Sequence, residues 1–448
     1  MTKQLTARWS SRWTFILATT GAAVGLGNIW RFPYMAGSHG GSAFLIVYLA
    51  CIVLFGLPIL AAEIIIGRHA RNNPVDALKS IAIENKASRK WQALGWWGIT
   101  ALVLILSFYS VVSGWSIAYF LKSITGVFNH MNADQVGATW GEFLSHPGKL
   151  LLWHSLFMFI TICIVIRGVS KGLEKATNFM MPLLYIILIS LVIFACSTGA
   201  TKQAVHFLFA FDYHKITLNI IFAAMGHAFF TLAVGAGAML TYGAYAPKNI
   251  NIISSILIVA LLDILVAILS GLAIFPIVFA YHLAPTSGPG LMFVTLPISF
   301  ANMHYGSLVS AGFFLLLFFA SLTSSINLAE PIVITLQSKL KLSRKSASII
   351  AGCLAWLVGI VSLLSFNVWQ NVKFMGQTPF DLISNAATDI FLPVGGLGFA
   401  IIAGYILKKK ITQDELQGSG KFIYTLWRVL TRYIAPIGII IIFIKILV

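Results

Sequence analysis

About eleven apolar segments recur along the chain, each long enough to cross a hydrocarbon core of roughly 30 Å, and this limits what else it can fold into. Their approximate bounds, numbered span 1 to span 11 in chain order, are 12–37, 42–67, 93–124, 150–167, 177–198, 217–245, 251–281, 306–338, 346–366, 379–407 and 422–447. In hydrocarbon each backbone N–H and C=O must be bonded within the protein, so runs of this length predict helices. Of 448 residues 58% are hydrophobic and only 10% charged, too few to cover a soluble domain of this size. The expected fold is an all-α polytopic membrane protein with residues 1–448 in one transmembrane domain.

A net charge of +17 suggests nucleic acid, but its placement argues for topology. With the N-terminus inside, Lys3, Arg8 and Arg12, the basic residues of 68–92, Arg167, Lys171, Lys175, Lys339, Lys341, Arg344, Lys345 and Lys408–Lys410 all fall on the cytoplasmic side. With the basic residues of the remaining inner segments included, roughly 23 of the 30 lie inside, as the positive-inside rule requires, and the C-terminus is external. The basic start ahead of an apolar run has the form of a signal peptide, but the run continues into Arg31 and Pro33 without a small-residue cleavage site, so it is read as retained. Cys51, Cys163, Cys196 and Cys353 fall in apolar spans without CxxC spacing and read as packed small hydrophobes. Residues 125–149 and 282–305 are expected as external loops, and 68–92 as an internal one.

Span 1 contains "GAAVGLGNIWRFPY" (21–34), and span 6 contains "FFTLAVGAGAML" (229–240). Glycine in a helix interior costs about 1 kcal/mol against alanine, so clusters at Gly21, Gly25 and Gly27 and at Gly235 and Gly237 favour unwinding. Broken helices in corresponding positions of two five-span halves point to a binding site at the bilayer midplane. Close helix packing through small residues would give the same glycines. The acids tip the balance: of only 13, Glu63, Asp263 and Glu330 lie inside spans, and Asp381 and Asp389 flank or enter span 10. Charge at membrane depth costs several kcal/mol unless paired or hydrated, which makes function the default reading.

These stretches, with "GGSAFLIVYL" (40–49), "GPGLMFVTLP" (288–297) and "ASLTSSINLAEP" (320–331) in order, resemble the neurotransmitter:sodium symporter family from about Trp9 to the end. The likeness is to its bacterial eleven-span amino-acid branch, most of all to transporters of multiple hydrophobic amino acids. It implies a five-plus-five inverted repeat (12–198 and 217–407) with broken helices 1 and 6, an extra C-terminal helix at 422–447, and a place in the bacterial cytoplasmic membrane. The function implied is sodium-coupled symport of hydrophobic L-amino acids by alternating access.

Carried over by motif, one Na+ site uses the Ala23 carbonyl, Asn28, Thr231 and Asp263, completed by the substrate carboxylate; a second uses carbonyls of Gly21, Val24 and Ala320 with the hydroxyls of Thr323 and Ser324. Hard cations want such oxygen ligands. Amides near Leu26 and Gly27 and the Tyr109 hydroxyl are expected to hold a carboxylate, and carbonyls of Ala23, Phe230 and Thr231 an ammonium. Ile105, Tyr109, Phe230, Ala233, Ala236, Ser324 and Leu328 complete the substrate site. Relatives that carry amines without a carboxylate have Asp in place of Gly25, so the ligand here brings its own negative charge. Relatives usually have Phe or Met in place of Ala236, so the pocket is read as wide enough for large aliphatic or aromatic side chains. Arg31 and Asp381 resemble an external gate pair with Phe230 as lid, and Glu63 is read as a brace for the unwound span 6.

Several positions depart from the family pattern. The usual inner Arg–Asp pair is replaced by Thr6 and Ser338, for which Arg8 and Glu330, beside Tyr245, are the expected substitute. Asp263 and Ala267 stand where chloride-dependent relatives have Asn and Ser, which predicts chloride independence. His227 replaces a usual Gln; facing Asp263, it would form a proton-linked pair. "GLEKATNFMMP" (172–182) keeps a Gly-x9-Pro spacing that in relatives lets span 5 unwind. A channel would need a continuous polar lining, an intramembrane enzyme a nucleophile or metal-ligand spacing, and neither is visible. A non-transporting amino-acid sensor is the alternative. An amino acid and membrane lipid are the expected partners, and nucleic acid is not.

Overall fold

The computed structural model describes residues 7–282 and 290–447, so Lys3, Thr6 and 288–289 of the fourth motif lie outside the described residues. Described elements are helical, and eight helices are unbroken and apolar enough to cross a membrane: Ser42–Ala70, Arg89–Ile124, Pro147–Ile166, Val169–Cys196, Ile252–Ala280, Gly306–Leu340, Arg344–Leu364 and Pro379–Ile406. They coincide with spans 2–5 and 7–10. The C-terminal segment 421–447 is helical as well. Local signals set many of the starts: Asn251 accepts from Ser254 N–H, Ser343 from Ser346 N–H, and Thr378 and Asp381 cap one another ahead of Pro379.

Spans 1 and 6 are the two that fail to run through. In span 1, Arg12–Ala23 ends at Val24, whose φ −71°, ψ 113° is extended, and helix resumes at Gly27–Arg31 and Phe32–Ser38. In span 6, Leu218–Thr231 stops and Ala238–Ala244 begins after an irregular stretch. Gly235 (φ +94°) and Gly237 (φ +75°) supply the left-handed backbone there, and Ala233 (φ +50°) adopts it without being glycine. Such a residue costs roughly 1–2 kcal/mol, so the surrounding structure holds it in place.

Burial divides the spans by depth. The apolar windows of spans 3 and 8 are 83% and 78% buried, whereas those of spans 4 and 5 are each 33% buried and form the rim facing lipid. Spans 3 and 8 therefore form the scaffold against which the broken helices pack. All three segments expected as loops carry helices: Pro74–Glu84 in 68–92, Ala133–Ser145 in 125–149 and Leu291–Ala301 in 282–305, with Trp140 stacked on Phe293 at 5.1 Å. Span 5 is continuous, and its Thr177 and Met181 side chains pack against Gly21, so the unwinding expected from the Gly-x9-Pro spacing is absent from this state. All four cysteines are free; Cys51 is buried, whereas Cys196 and Cys353 lie on the exposed face rather than packed inside.

Candidate functional site

The two helix breaks meet at the centre of the molecule. Glu63 is buried and accepts N–H bonds from Gly235 at 2.5 Å and Leu240 at 3.3 Å, donors that the break in span 6 sets free. A carboxylate with two such donors stabilises an irregular backbone that has no water to bond with. Gly235 and Gly395 pack backbone against backbone, where no Cβ fits, so span 10 rests directly on the unwound stretch.

Beside the break in span 1, Asp263 is fully buried and uncompensated by any cation within ion-pair reach among the described residues. Asn28 Nδ2 donates to its Oδ1 at 2.8 Å, Thr231 Oγ1 at 3.0 Å, and Tyr48 Oη to Oδ2 at 3.1 Å. Asn28 Oδ1 in turn accepts Gly25 N–H at 3.1 Å. Asn28, Thr231 and Asp263 thus converge, with Tyr48 as a fourth member that the sequence reading missed. Tyr48 lies within the quoted "GGSAFLIVYL", but no spacing marks its hydroxyl as aimed at residue 263.

A second group of oxygens gathers where span 8 crosses the break. Ser324 Oγ donates to the carbonyls of Gly21 at 3.3 Å and Val24 at 3.0 Å, reaching across to another helix. Thr323 Oγ1 bonds back to Ala320 at 2.9 Å within its own helix. Both groups are built of hard oxygen donors without sulfur or imidazole, a set suited to Na+.

Between them lies a cavity lined by Ala22, Ala23, Gly25, Gly27, Leu102, Ile105, Tyr109, Phe230, Ala233, Ala236, Ser324, Leu328 and Leu392, with about 20 Å³ free for the centres of water molecules. Leu26 and Thr231 stand behind this wall: Leu26 N–H donates to Tyr109 Oη at 2.8 Å. Leu102 and Leu392 were not expected. Leu392 is brought in from span 10 by the Gly235–Gly395 contact, which pattern alone does not reveal.

Phe230 also forms the floor of an outer cavity of about 510 Å³, lined by Arg31, Phe108, Asp381 and Thr388 among others. The Arg31 guanidinium lies 5.0 Å from the Phe230 ring. The expected Arg31–Asp381 pair is not made in this state: Arg31 Nη2 is 3.9 Å from Asp389 Oδ1, and Asp381 is engaged by Thr378 Oγ1 at 2.7 Å as a helix cap. The open cavity separates the two sides that the pair would join.

The inner side is closed by other partners than expected. Glu330, fully buried, is held by Arg344 Nη2 at 2.5 Å and by Tyr245 Oη at 2.7 Å, so Arg344 and not Arg8 is its cation. Arg344 comes from the turn after span 8, close enough in sequence to reach back. Trp9 N–H donates to the Tyr245 carbonyl at 3.1 Å, and Ser10 Oγ bonds Glu174. Ser338 Oγ bonds Asp76 at 2.9 Å beside the Lys339–Asp76 ion pair. The pairing of His227 with Asp263 is not made either. His227 is buried among Phe32, Phe44 and Tyr48, 5.0 Å from the Tyr48 ring, with neither ring nitrogen hydrogen-bonded. Tyr48 stands between the two.

The model of the sodium:neurotransmitter symporter family matches residues 6–142 and 135–448. A Bacillus subtilis (strain 168) protein named an uncharacterised sodium-dependent transporter is 36% identical over 454 residues, covering 100% of this chain and 99% of its own length. An uncharacterised sodium-dependent transporter of Haemophilus influenzae is 31% identical, covering 98% and 97%. The crystal structure of MhsT in complex with L-phenylalanine superposes with a TM-score of 0.93 at 41% identity, covering 98% of this chain and 100% of that one.

Proposed function

This chain belongs to the sodium:neurotransmitter symporter family, a family of secondary transporters and not of enzymes, and on that footing we propose that it carries large aliphatic or aromatic L-amino acids. The observation that carries the reading is the wall of the central cavity, where Leu102, Ile105, Ala236, Leu328 and Leu392 offer an apolar face and no charged side chain. A zwitterion meets backbone groups and the Tyr109 hydroxyl at one end and this apolar face at the other. Gly25 leaves the carboxylate to the substrate. MhsT, with L-phenylalanine in its crystal structure, supports the same class. The cavity is contracted, so a large substrate enters by displacing the Phe230 ring towards the outer cavity.

Two Na+ ions are proposed, at the Asn28–Thr231–Asp263 group with the Ala23 carbonyl and at the Gly21–Val24–Ala320–Thr323–Ser324 group. Symport follows when the substrate carboxylate completes the first. The Asp263 carboxylate supplies the negative charge that chloride brings elsewhere, which makes transport chloride-independent. A proton returning through Asp263 is part of the proposal. The N-terminus is assigned to the cytoplasm of a bacterial inner membrane, with the eleventh helix ending outside.

The experiment is uptake of labelled tryptophan and leucine into proteoliposomes, with and without an inward sodium gradient, in gluconate. Sodium-driven accumulation in which glycine and alanine compete poorly is the expected result. Accumulation preferring glycine overturns the substrate class, a requirement for chloride overturns the role of Asp263, and binding without accumulation favours a sensor.

A further inference from the structure

The last helical segment carries an unbalanced charge. Arg428 and Arg432, one turn apart on the same face, lie roughly 10 and 16 Å along the axis from Lys421 at 1.5 Å per residue. Both are half-buried, and no described carboxylate lies within ion-pair distance of either. Arg428 Nη1 reaches only neutral hydroxyls, Tyr424 at 3.1 Å and Thr412 at 3.4 Å. Arg432 Nε is buried without a partner, and its guanidinium lies 4.7 Å from the Tyr405 ring and 5.6 Å from that of Tyr433. Gly404 lets the Arg432 backbone approach span 10, and Tyr405 Oη donates to the Arg432 carbonyl at 2.7 Å, so the two spans form one rigid notch. Lys408, Lys409 and Lys410 are exposed at its foot.

Guanidinium at membrane depth is costly without a counter-charge, and its planar fork suits a phosphate. The neighbouring face is exposed and apolar, with Ile437 54% and Ile441 57% exposed, which places the notch against lipid and not against a soluble partner. Tyr405 and Tyr433, each about half exposed, have the amphipathic character of interfacial belts. We propose that Arg428 and Arg432, with the Lys408–Lys410 run, bind the phosphate of an anionic phospholipid between spans 10 and 11. The leaflet, cytoplasmic, rests on the orientation proposed above; the site itself does not depend on the substrate reading.

The test is thermal unfolding of the purified protein in neutral detergent with added phosphatidylglycerol, phosphatidylcholine or inorganic phosphate. Wild type is compared with Arg428→Gln/Arg432→Gln and with Arg89→Gln/Lys90→Gln, which removes equal charge elsewhere. Phosphatidylglycerol is expected to raise Tm by about 2–4 °C in wild type and in the Arg89/Lys90 variant, and not in the Arg428/Arg432 variant. An equal rise in all three proteins, or no excess over phosphatidylcholine, overturns the site; an equal rise with inorganic phosphate overturns the lipid as its occupant. Should the Arg428/Arg432 variant not fold, single Arg428→Lys and Arg432→Lys variants replace it. These keep the charge and lose the fork, and an undiminished response in both overturns the role given to the guanidinium pair.

Discussion

At the scale of single residues, the cavity proposed for the substrate is shaped by what is small. Ala236 lines its wall, and a phenylalanine there overfills a contracted space. Overpacking of this kind costs roughly 1–3 kcal/mol, so Ala236→Phe is expected to weaken binding of tryptophan about 10- to 100-fold and of alanine far less. Competition binding with the two amino acids measures the difference, and equal losses would refute the assignment of residue 236 to the side-chain pocket. Gly25 faces Tyr109 Oη and Ser324 Oγ with no room for a Cβ, so Gly25→Ala is expected to abolish sodium-dependent substrate binding. Near-normal affinity in that variant would show that the span 1 break does not hold substrate. Both residues were legible in the sequence because each departs from a recognisable motif. Tyr48 and Leu392 were not, since an aromatic and a leucine in apolar runs carry no signal until their neighbours are known.

At the scale of elements, the side on which Trp9 and Arg344 lie, cytoplasmic in the proposed orientation, is held by contacts between segments far apart in the chain. Glu330 is fully buried, and removing its cation leaves an uncompensated charge, a loss of about 3–5 kcal/mol for the state that makes the pair. Arg344→Gln is therefore expected to shift the transporter towards its inward-open state, while Arg8→Ala leaves the balance unchanged; labelling of a cysteine placed in the inner pathway reports both. Parallel behaviour of the two variants would return the role to Arg8. The internal helix Pro74–Glu84 is tied to the end of span 8 through Asp76. Burial opposes the Asp76 charge, but hydrogen bonds from Lys339, Asn73 and Ser338 outweigh it and hold the carboxyl below its ordinary range. A depressed carboxylate contributes stability that is complete above its unfolded pKa and is lost as pH falls through the folded one. The Tm gap between wild type and Asp76→Asn is thus expected to be full at neutral pH and to close below about pH 4. A gap that stays constant well below that pH would mean that Asp76 contributes by shape and not by charge. The sequence marked Glu330 and Ser338 as unusual but paired Glu330 with Arg8 and gave Ser338 no partner, because a partner's identity depends on which helix ends meet.

At the scale of the whole molecule, the cavity beside Arg31 reaches Phe230 while the opposite side is closed by Trp9, Ser10–Glu174 and Glu330–Arg344, which is outward-facing in the proposed orientation. Two Na+ ions carried with a zwitterion move two charges, about 4.6 kcal/mol at 100 mV. A tenfold sodium gradient adds about 1.4 kcal/mol per ion, for a total near 7 kcal/mol and a limiting accumulation of about 10⁵-fold. One ion would give roughly the square root of that, about 300-fold. Accumulation in proteoliposomes as a function of potential is expected to follow the two-ion slope, and a one-ion slope would remove one of the proposed oxygen groups. Net proton return would lower the slope at a rate that depends on pH, and uptake unchanged between about pH 6 and 8 in wild type and in His227→Gln would dismiss it.

The membrane fold, its helical spans and the positions of the two breaks are readable from the chain's residues alone, because hydrocarbon leaves the backbone no alternative to helix and glycine marks where helix fails. Motif order was enough to gather Asn28, Thr231, Asp263, Thr323 and Ser324 around those breaks. The packing of helices against one another settles which polar groups meet: Arg31 with Asp389, Glu330 with Arg344, Asp263 with Tyr48 in place of His227. Spans are fixed by local transfer from water to lipid, whereas an ion pair depends on distances across packed helices, which no single segment encodes.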